Sequence, residues 1–346
     1  MTRRWRLEPL RNLLKIRRRT SPTLTIAIFF TLLFAMSSYK ITDIVLDQIA
    51  YPYNMYQGYP LSIYDHPYNI ITNITCLGNS RINMIIVIHS AVTNFEKRAL
   101  IRRSWANKHL LSGYGMRVVF VLGLPSHNEI QALVHQESLY YNDIIQGTVY
   151  DSYTNITHKA VLWLRWVKEY CPNARFILKL DDDVFVNVFS LYHNFLPNYK
   201  NTSMKMWCEI KSAGKQAISR MRGKKWRVAS HELKGLQYYP LTLCRGYFVI
   251  MTQDSIGPMY ETAKHTRFFW IDDYYVFGTL ANSTGVKHSS LVQFLSKEKE
   301  AFRCFKSRKQ LCPLLGVLLE LSDVNVSMET LWRYAIDHVK NDFSLD

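Results

Sequence analysis

The sequence is poor in glycine and proline, with 14 and 11 in 346 residues and no period to either. That excludes collagen-like and low-complexity chains. It has no Cys-x-x-Cys or Cys-x-x-His spacing, which argues against a structural zinc site. Its six cysteines are too few, at this length, for a small disulfide-built scaffold. Acids are short too: 27 Asp and Glu face 43 Lys and Arg, a formal charge of +16. Aromatics are not scarce. With 22 Tyr, 17 Phe and 8 Trp, and 48% hydrophobic residues, the chain is not disordered and can bury a sizeable core.

The basic excess is unevenly placed. Residues 1–19 hold eight basic groups against the single acid Glu8. Without them 35 basic residues face 26 acidic ones, scattered except for a run from Lys211 to Arg227, so no nucleic-acid partner is expected. Thr20 to Tyr39 carries no charge, and a helix of that length spans about 30 Å, the thickness of a bilayer's hydrocarbon. The basic flank predicts a cytoplasmic N-terminus and a single-pass type II topology. A cleaved signal peptide is the competing reading, although Ala35-Met36-Ser37 is a poor cleavage site. The expected order is a cytoplasmic tail over 1–19, an anchor over 20–39, a stem over 40–81 and a lumenal domain over 82–346. Five glycosylation sequons, at Asn73, Asn155, Asn201, Asn282 and Asn325, all follow the anchor. An even set of cysteines suits an oxidising compartment, but the sequence does not choose their pairing.

Beyond the stem, apolar runs alternate with helical patterns. Strands are expected over 83–88, 117–123, 175–180 and 247–251, and helices over 95–107, 126–140, 154–170 and 328–339. The alternation predicts an α/β sheet with both faces covered. The 175–180 strand runs straight into Asp181-Asp182-Asp183. Adjacent carboxylates repel one another unless a cation sits among them. In extended chain Asp181 and Asp183 share a side, which suits a hard divalent ion with open positions for phosphate. A solvated acidic turn, or acids at a helix start, fits that triplet equally well from the residues alone.

Several segments, in order, resemble the β-1,3-glycosyltransferase family of Golgi enzymes, which includes β-1,3-galactosyltransferases and β-1,3-N-acetylglucosaminyltransferases. They are Glu96 to Trp105, Val118 to Gly123, Asn142 to Gly147, Asp151 to Lys159, Lys179 to Asn187, Lys225-Trp226, Cys244 to Tyr247 and Ile271 to Val276. The resemblance covers roughly residues 82–290. It implies a GT-A-type nucleotide-diphospho-sugar fold, Rossmann-like with helices on both faces. It also implies inverting transfer of a hexose, galactose first, from a UDP-sugar to a glycan hydroxyl on protein or lipid at the Golgi membrane. N-acetylglucosamine or N-acetylgalactosamine is the alternative donor sugar, and an inactive membrane-anchored lectin or chaperone of the same fold is the non-enzymatic alternative.

The resemblance also implies roles. Asp183, then Asp181, would hold Mn²⁺, with His288 as a third ligand, and Asp182 would serve ribose or metal. Asp273 would be the general base, with Asp272 as fallback; for both, capping of a helix start is the structural alternative. Arg102 and Lys179 are the cations expected on the donor side, although strand alternation also allows Lys179 a structural part. Trp163 and Trp166 are expected to pack. Where the family carries a Gly-rich run, this chain has only Cys244-Arg245-Gly246-Tyr247, and the bulky Arg245 is expected to narrow or recharge the pocket.

Overall fold

The computed structural model describes residues 67–73, 75–77, 82–306, 312–319 and 324–343. The expected tail and anchor, and most of the expected stem, lie outside the described residues. Among the described residues no helix is long and apolar enough to cross a membrane. The chain divides into two units, residues 59–228 with 233–346, and residues 1–58 with 229–232. Of the second, only 229–232 are described, a turn in which Glu232 N–H donates to Ala229 O (3.1 Å). Everything below concerns the first.

Its centre is a mixed eight-stranded sheet. The strands are β1 (Tyr68–Ile70), β2 (Ile82–His89), β3 (Met116–Leu124), β4 (Ile144–Tyr150), β5 (Ala174–Asp181), β7 (Lys205–Lys211), β8 (Leu243–Thr252) and β9 (Lys287–Ser290), in the order β1-β4-β3-β2-β5-β8-β7-β9. β4, β3, β2 and β5 run parallel, whereas β8 is antiparallel to both β5 and β7. Apolar runs such as Asn83-Met-Ile-Ile-Val-Ile88 belong to strands buried on both faces, as parallel strands under helices must be. The helices are α1 (Phe95–Arg103), α2 (Lys108–Gly113), α3 (Asn128–Tyr141), α4 (Ile156–Tyr170), α5 (the run 188–198), α6 (Ile256–Ala263), α7 (the run 272–283), α8 (Glu298–Lys306) and α9 (Val324–Phe343). The mixed α/β architecture expected from the alternation is present. Trp163 and Trp166 on α4 are buried, as expected of packing residues.

Three findings go beyond the sequence reading. β1 and Cys76 fall inside the stretch expected to be stem, yet β1 pairs with β4 and Cys76 is bonded to Cys171, the residue that caps the C-terminus of α4. The other disulfides are Cys208–Cys244, linking β7 to β8, and Cys304–Cys312. The segment after residue 290, whose role the sequence left open, builds a second sheet. There β10 (Leu295–Lys297) and β11 (Gly316–Leu318) cover β6 (Val184–Val186), the strand that leaves the Asp triplet. Leu319 N–H donates to the Asp183 carbonyl (3.0 Å), so the C-terminal segment braces the triplet's exit. Gly316 lies so close to Phe248 that an added Cβ would stand 2.5 Å from its ring.

Candidate functional site

The C-terminal ends of β2 and β5 lie side by side, with His89 in register with Asp181. This is where ligands enter an α/β sheet. Strand alternation splits the two residues that follow Leu180. Asp182 continues Leu180's side, toward α1, and is buried there. Its Oδ2 accepts from Ser90 Oγ (2.7 Å) and Asn94 Nδ2 (2.8 Å), and its Oδ1 from Lys97 Nζ (3.2 Å). Three donors hold this carboxylate, so Asp182, expected to serve ribose or metal, fixes the loop between β2 and α1.

Asp181 continues the other side, that of Lys179. Lys179 is 1% exposed, and its Nζ donates to Asp181 Oδ1 (2.9 Å) and to the Gly246 carbonyl (2.8 Å). Asp272 Oδ2 lies 3.6 Å from the same ammonium. Burial pushes the Lys179 pKa down, but Asp181 and Asp272 more than reverse this, and it ends above its ordinary value. Lys179 is therefore a buried cation joining the acid triplet to the second acid pair, the structural part that alternation allowed.

The second pair opens α7. Burial, aided by the charge of Asp181, pushes the Asp272 carboxyl up. The N-cap of this helix is Ile271, with no side-chain cap, so Asp272 is not the capping group considered for it. Asp273 is half-buried and its Oδ1 accepts from Gly246 N–H (2.8 Å). Burial first, then the neighbouring Asp272 charge, raises its pKa. Only glycine fits at 246: a Cβ would stand 2.4 Å from Asp273 Oδ1. Arg245 does not close this site. Its side chain is exposed, with Nη1 3.5 Å from Glu209 and the guanidinium over the Tyr247 ring at 5.5 Å.

Asp183 sits in the turn between β5 and β6. Its Oδ1 is buried without a hydrogen-bond partner, and burial, with the charges of Asp181 and Asp182, pushes its carboxyl up to about 6. A buried carboxylate oxygen left unpaired beside two others is what a hard cation satisfies. Asp183 and Asp181 thus fit a divalent ion. Among the described residues no three His, Cys, Asp or Glu side chains group as a metal-holding set.

Two expected members do not reach the cluster. His288 lies on β9, three strands from β5 in the sheet, and its Nε2 is hydrogen-bonded with the Phe277 carbonyl (2.7 Å). Burial lowers its pKa, and it is a half-buried histidine held by a backbone partner. Arg102 is also corrected. Its guanidinium grips Asp143 through two bonds of 2.8 Å and Glu137 through one of 2.6 Å, and it stacks over Tyr141 at 3.9 Å. No charge on it is left for a diphosphate.

Other residues were missed. Arg98, given no role in the sequence reading, is fully buried and donates to Ala91 O (2.8 Å), Val92 O (3.2 Å) and Ser90 Oγ (3.2 Å). Lys159 donates to Ser90 O (2.9 Å) and Asp151 Oδ1 (2.8 Å), while Asp151 Oδ2 accepts from Val92 N–H (2.7 Å). Both Asp151 and Lys159 lie in a recognised motif, but only folding shows that they clamp loop 90–94. His89 is buried with neither ring nitrogen hydrogen-bonded, and burial, then Lys179 and Lys159, keep it neutral.

Comparison with known proteins places Arg98, Asp151, Lys159 and the acid clusters inside a recognised block, with His89 and loop 90–94 just before it. A family model described as Galactosyltransferase matches residues 96–292. Beta-1,3-galactosyltransferase 1 of Mus musculus is 30% identical over 194 residues, 56% of this chain and 58% of that protein's length. UDP-GalNAc:beta-1,3-N-acetylgalactosaminyltransferase 1 of Homo sapiens is 27% identical over 296 residues, 84% of each chain. Among solved structures, a glycosyltransferase involved in glycosylation of the major capsid of PBCV-1 is 12% identical, with a TM-score of 0.36 over 71% of this chain and 98% of that one.

Proposed function

The chain belongs to the galactosyltransferase family, and from that premise we propose that it moves a hexose from a UDP-sugar to a glycan hydroxyl, in β-1,3 linkage and with inversion, on a GT-A-type fold. Galactose is the first reading of the donor. N-acetylgalactosamine is the second, favoured by the 84% coverage of the human GalNAc-transferase.

One observation carries the reading. The buried Lys179 ammonium ties the triplet at the end of β5 to the Asp272–Asp273 pair, so that a donor-side and an acceptor-side acid share one support. Asp273 takes the proton of the attacking acceptor hydroxyl. Its raised pKa strengthens it as a base, and Gly246 N–H aims its carboxylate. Lys179 stays charged, holding Asp181 in place and keeping Asp272 from repelling the base further. Asp182 locks loop 90–94 against β5, which keeps the strand ends in register. A divalent ion such as Mn²⁺ on Asp183 and Asp181 would supply Lewis-acid stabilisation of the charge on departing UDP.

The same reading sets the protein in the Golgi membrane as a type II enzyme with its catalytic domain lumenal. The uncharged run 20–39, the three disulfides and the sequons support it; Asn73, Asn201, Asn282 and Asn325 are exposed.

The test is a donor screen with the full chain in detergent, using UDP-galactose, UDP-N-acetylglucosamine and UDP-N-acetylgalactosamine with mixed glycan acceptors. Acceptor-dependent UDP release with one donor, abolished by EDTA and restored by Mn²⁺, is the expected result. Absence of turnover with all three, in a folded protein, would leave the lectin or chaperone alternative standing.

A further inference from the structure

The run Lys211 to Arg227 is the one concentrated basic segment outside the N-terminal tail, with seven Lys or Arg and no acid, and no step of the transfer uses it. In the fold its greater part is a surface loop between β7 and β8. Lys215, Lys224 and Lys225 are exposed, and among the described residues none of the three has a carboxylate within ion-pair distance.

Aromatic rings line the same loop. Lys225 Nζ stands 3.7 Å from the Tyr153 ring centroid and 5.1 Å from that of Trp226. Trp226 meets Tyr153 edge-on at 5.9 Å and stacks on Trp270, also at 5.9 Å, with the planes 18° apart. Tyr153 and Trp226 are 57% and 38% exposed, so both adjoining rings keep part of their surface open to solvent. Trp270 is buried and its carbonyl accepts from Thr157 Oγ1 (2.7 Å), which pins it to α4. It precedes Asp273 by three residues, at most about 10 Å of chain. The chain that carries the buried end of this ring stack therefore leads directly into the candidate base.

Exposed rings offer an apolar face to a pyranose, and ammonium groups beside them select for negative charge. We infer that loop 211–227, with Tyr153 and Trp226, is an acceptor subsite for a glycan bearing an acidic group, an inference that rests on the transfer reading above. The sugar ring lies on Trp226 and Tyr153, and its acidic substituent meets Lys224 and Lys225. The donor's diphosphate is a different anion, which belongs at the end of β5.

The experiment measures binding without turnover. The full chain in detergent is titrated with two oligosaccharides that differ only in a uronic-acid carboxylate, with a sulfated third. The carboxylated glycan should bind roughly five- to tenfold more tightly than the neutral one at low salt, the difference shrinking as salt rises. The double variant Lys224→Gln/Lys225→Gln should bring that ratio to about one, and Trp226→Ala should weaken both glycans. A sulfated glycan preferred over the carboxylated one upholds the subsite and assigns its anion to sulfate. Equal affinity for acidic and neutral glycans, or a preference that survives the double lysine variant, overturns the inference. So does lysine-dependent retention on phosphatidylserine vesicles without any acidic-glycan preference, because the loop is then a membrane contact. Since no transfer is measured, a failed donor screen and a failed binding experiment are told apart.

Discussion

Two charged regions flank the same strands and are built on opposite plans. Behind α1, Arg98 and Arg102 face Glu137 and Asp143, two cations for two acids, with nearly every guanidinium nitrogen bonded. Arg98 and Arg102 outweigh burial and bring Glu137 below its ordinary pKa, whereas burial leaves Asp143 above its own. At the end of β5, Asp181, Asp182, Asp183, Asp272 and Asp273 have, among the described residues, only the cations Lys179 and Lys97 paired with them, and three of the five carboxyls are pushed up. A balanced network holds a fold together. An unbalanced one keeps a deficit of positive charge that a bound cation relieves. Both regions lie in family motifs, so motif membership alone does not separate scaffold from chemistry.

The largest effect that would break this contrast is on turnover. Asp273→Asn should lower kcat by roughly 10²–10⁴-fold with donor affinity nearly unchanged, measured by initial rates and by UDP-sugar titration. Full activity in that variant would remove the base from this site. If Asp272→Asn were instead the dead variant with unaltered stability, the base would be its neighbour.

Next comes stability. Lys179→Met leaves Asp181 and Asp272 facing each other without their cation, and Arg102→Met leaves Asp143 without its partner. Each should lose about 3–5 kcal/mol in denaturant unfolding. Mn²⁺ should recover part of the loss in the first variant and none in the second. Equal recovery would erase the distinction between the regions.

Gly246→Ala tests the close approach at the base. The new methyl must displace Asp273, so kcat should fall roughly tenfold to a hundredfold, with a smaller loss of stability of about 1–3 kcal/mol from overpacking. An unchanged rate would mean that the Gly246–Asp273 bond does not aim the carboxylate.

The smallest effect is on pH. Carboxyls whose folded pKa is raised contribute stability in full below about pH 4, the unfolded value, and lose it as pH rises through the folded one. For Asp183 that value is about 6, and Asp272 and Asp273 shift the same way. Glu137 runs oppositely, its contribution present above its ordinary value and lost as pH falls through the lowered one. In EDTA, Tm should therefore decline on going from pH 5 to pH 8 at the acid cluster's expense, and Asp183→Asn should flatten the decline. A slope indifferent to that substitution would clear Asp183 of the charge deficit.

Much of this was readable in the chain, for a physical reason. Parallel strands buried on two faces spell unbroken apolar runs, so β2, β3 and β5 stood out, and the triplet's place at a strand mouth followed. The strand β7 did not stand out, because Lys205-Met-Trp-Cys-Glu-Ile-Lys211 is partly exposed and mixes charge with apolar residues. Arg102 was expected on the donor side and Arg98 was given no role, because their acids lie 35 or more residues away, beyond any local pattern. His288 was put forward by the resemblance as a third ligand, and nothing near it in sequence shows that the Phe277 carbonyl holds it. The bracing role of residues 295–319 was hidden because three-residue strands carry no period.

That last feature bears on how the protein is made. β6 is residues 184–186, yet its partner β11 is 316–318, about 130 residues later, and β10 joins only through β11. During synthesis the Asp183 turn emerges long before the strand that pairs with β6. Asp181 and Asp182 have their partners Lys179, Ser90, Asn94 and Lys97 earlier in the chain, but the Asp183 carbonyl and β6 must wait until almost the whole chain has been delivered. Ribosome-bound chains stopped before residue 315 should leave the β5–β6 turn open to protease, and the site should set only as one of the final acts of folding.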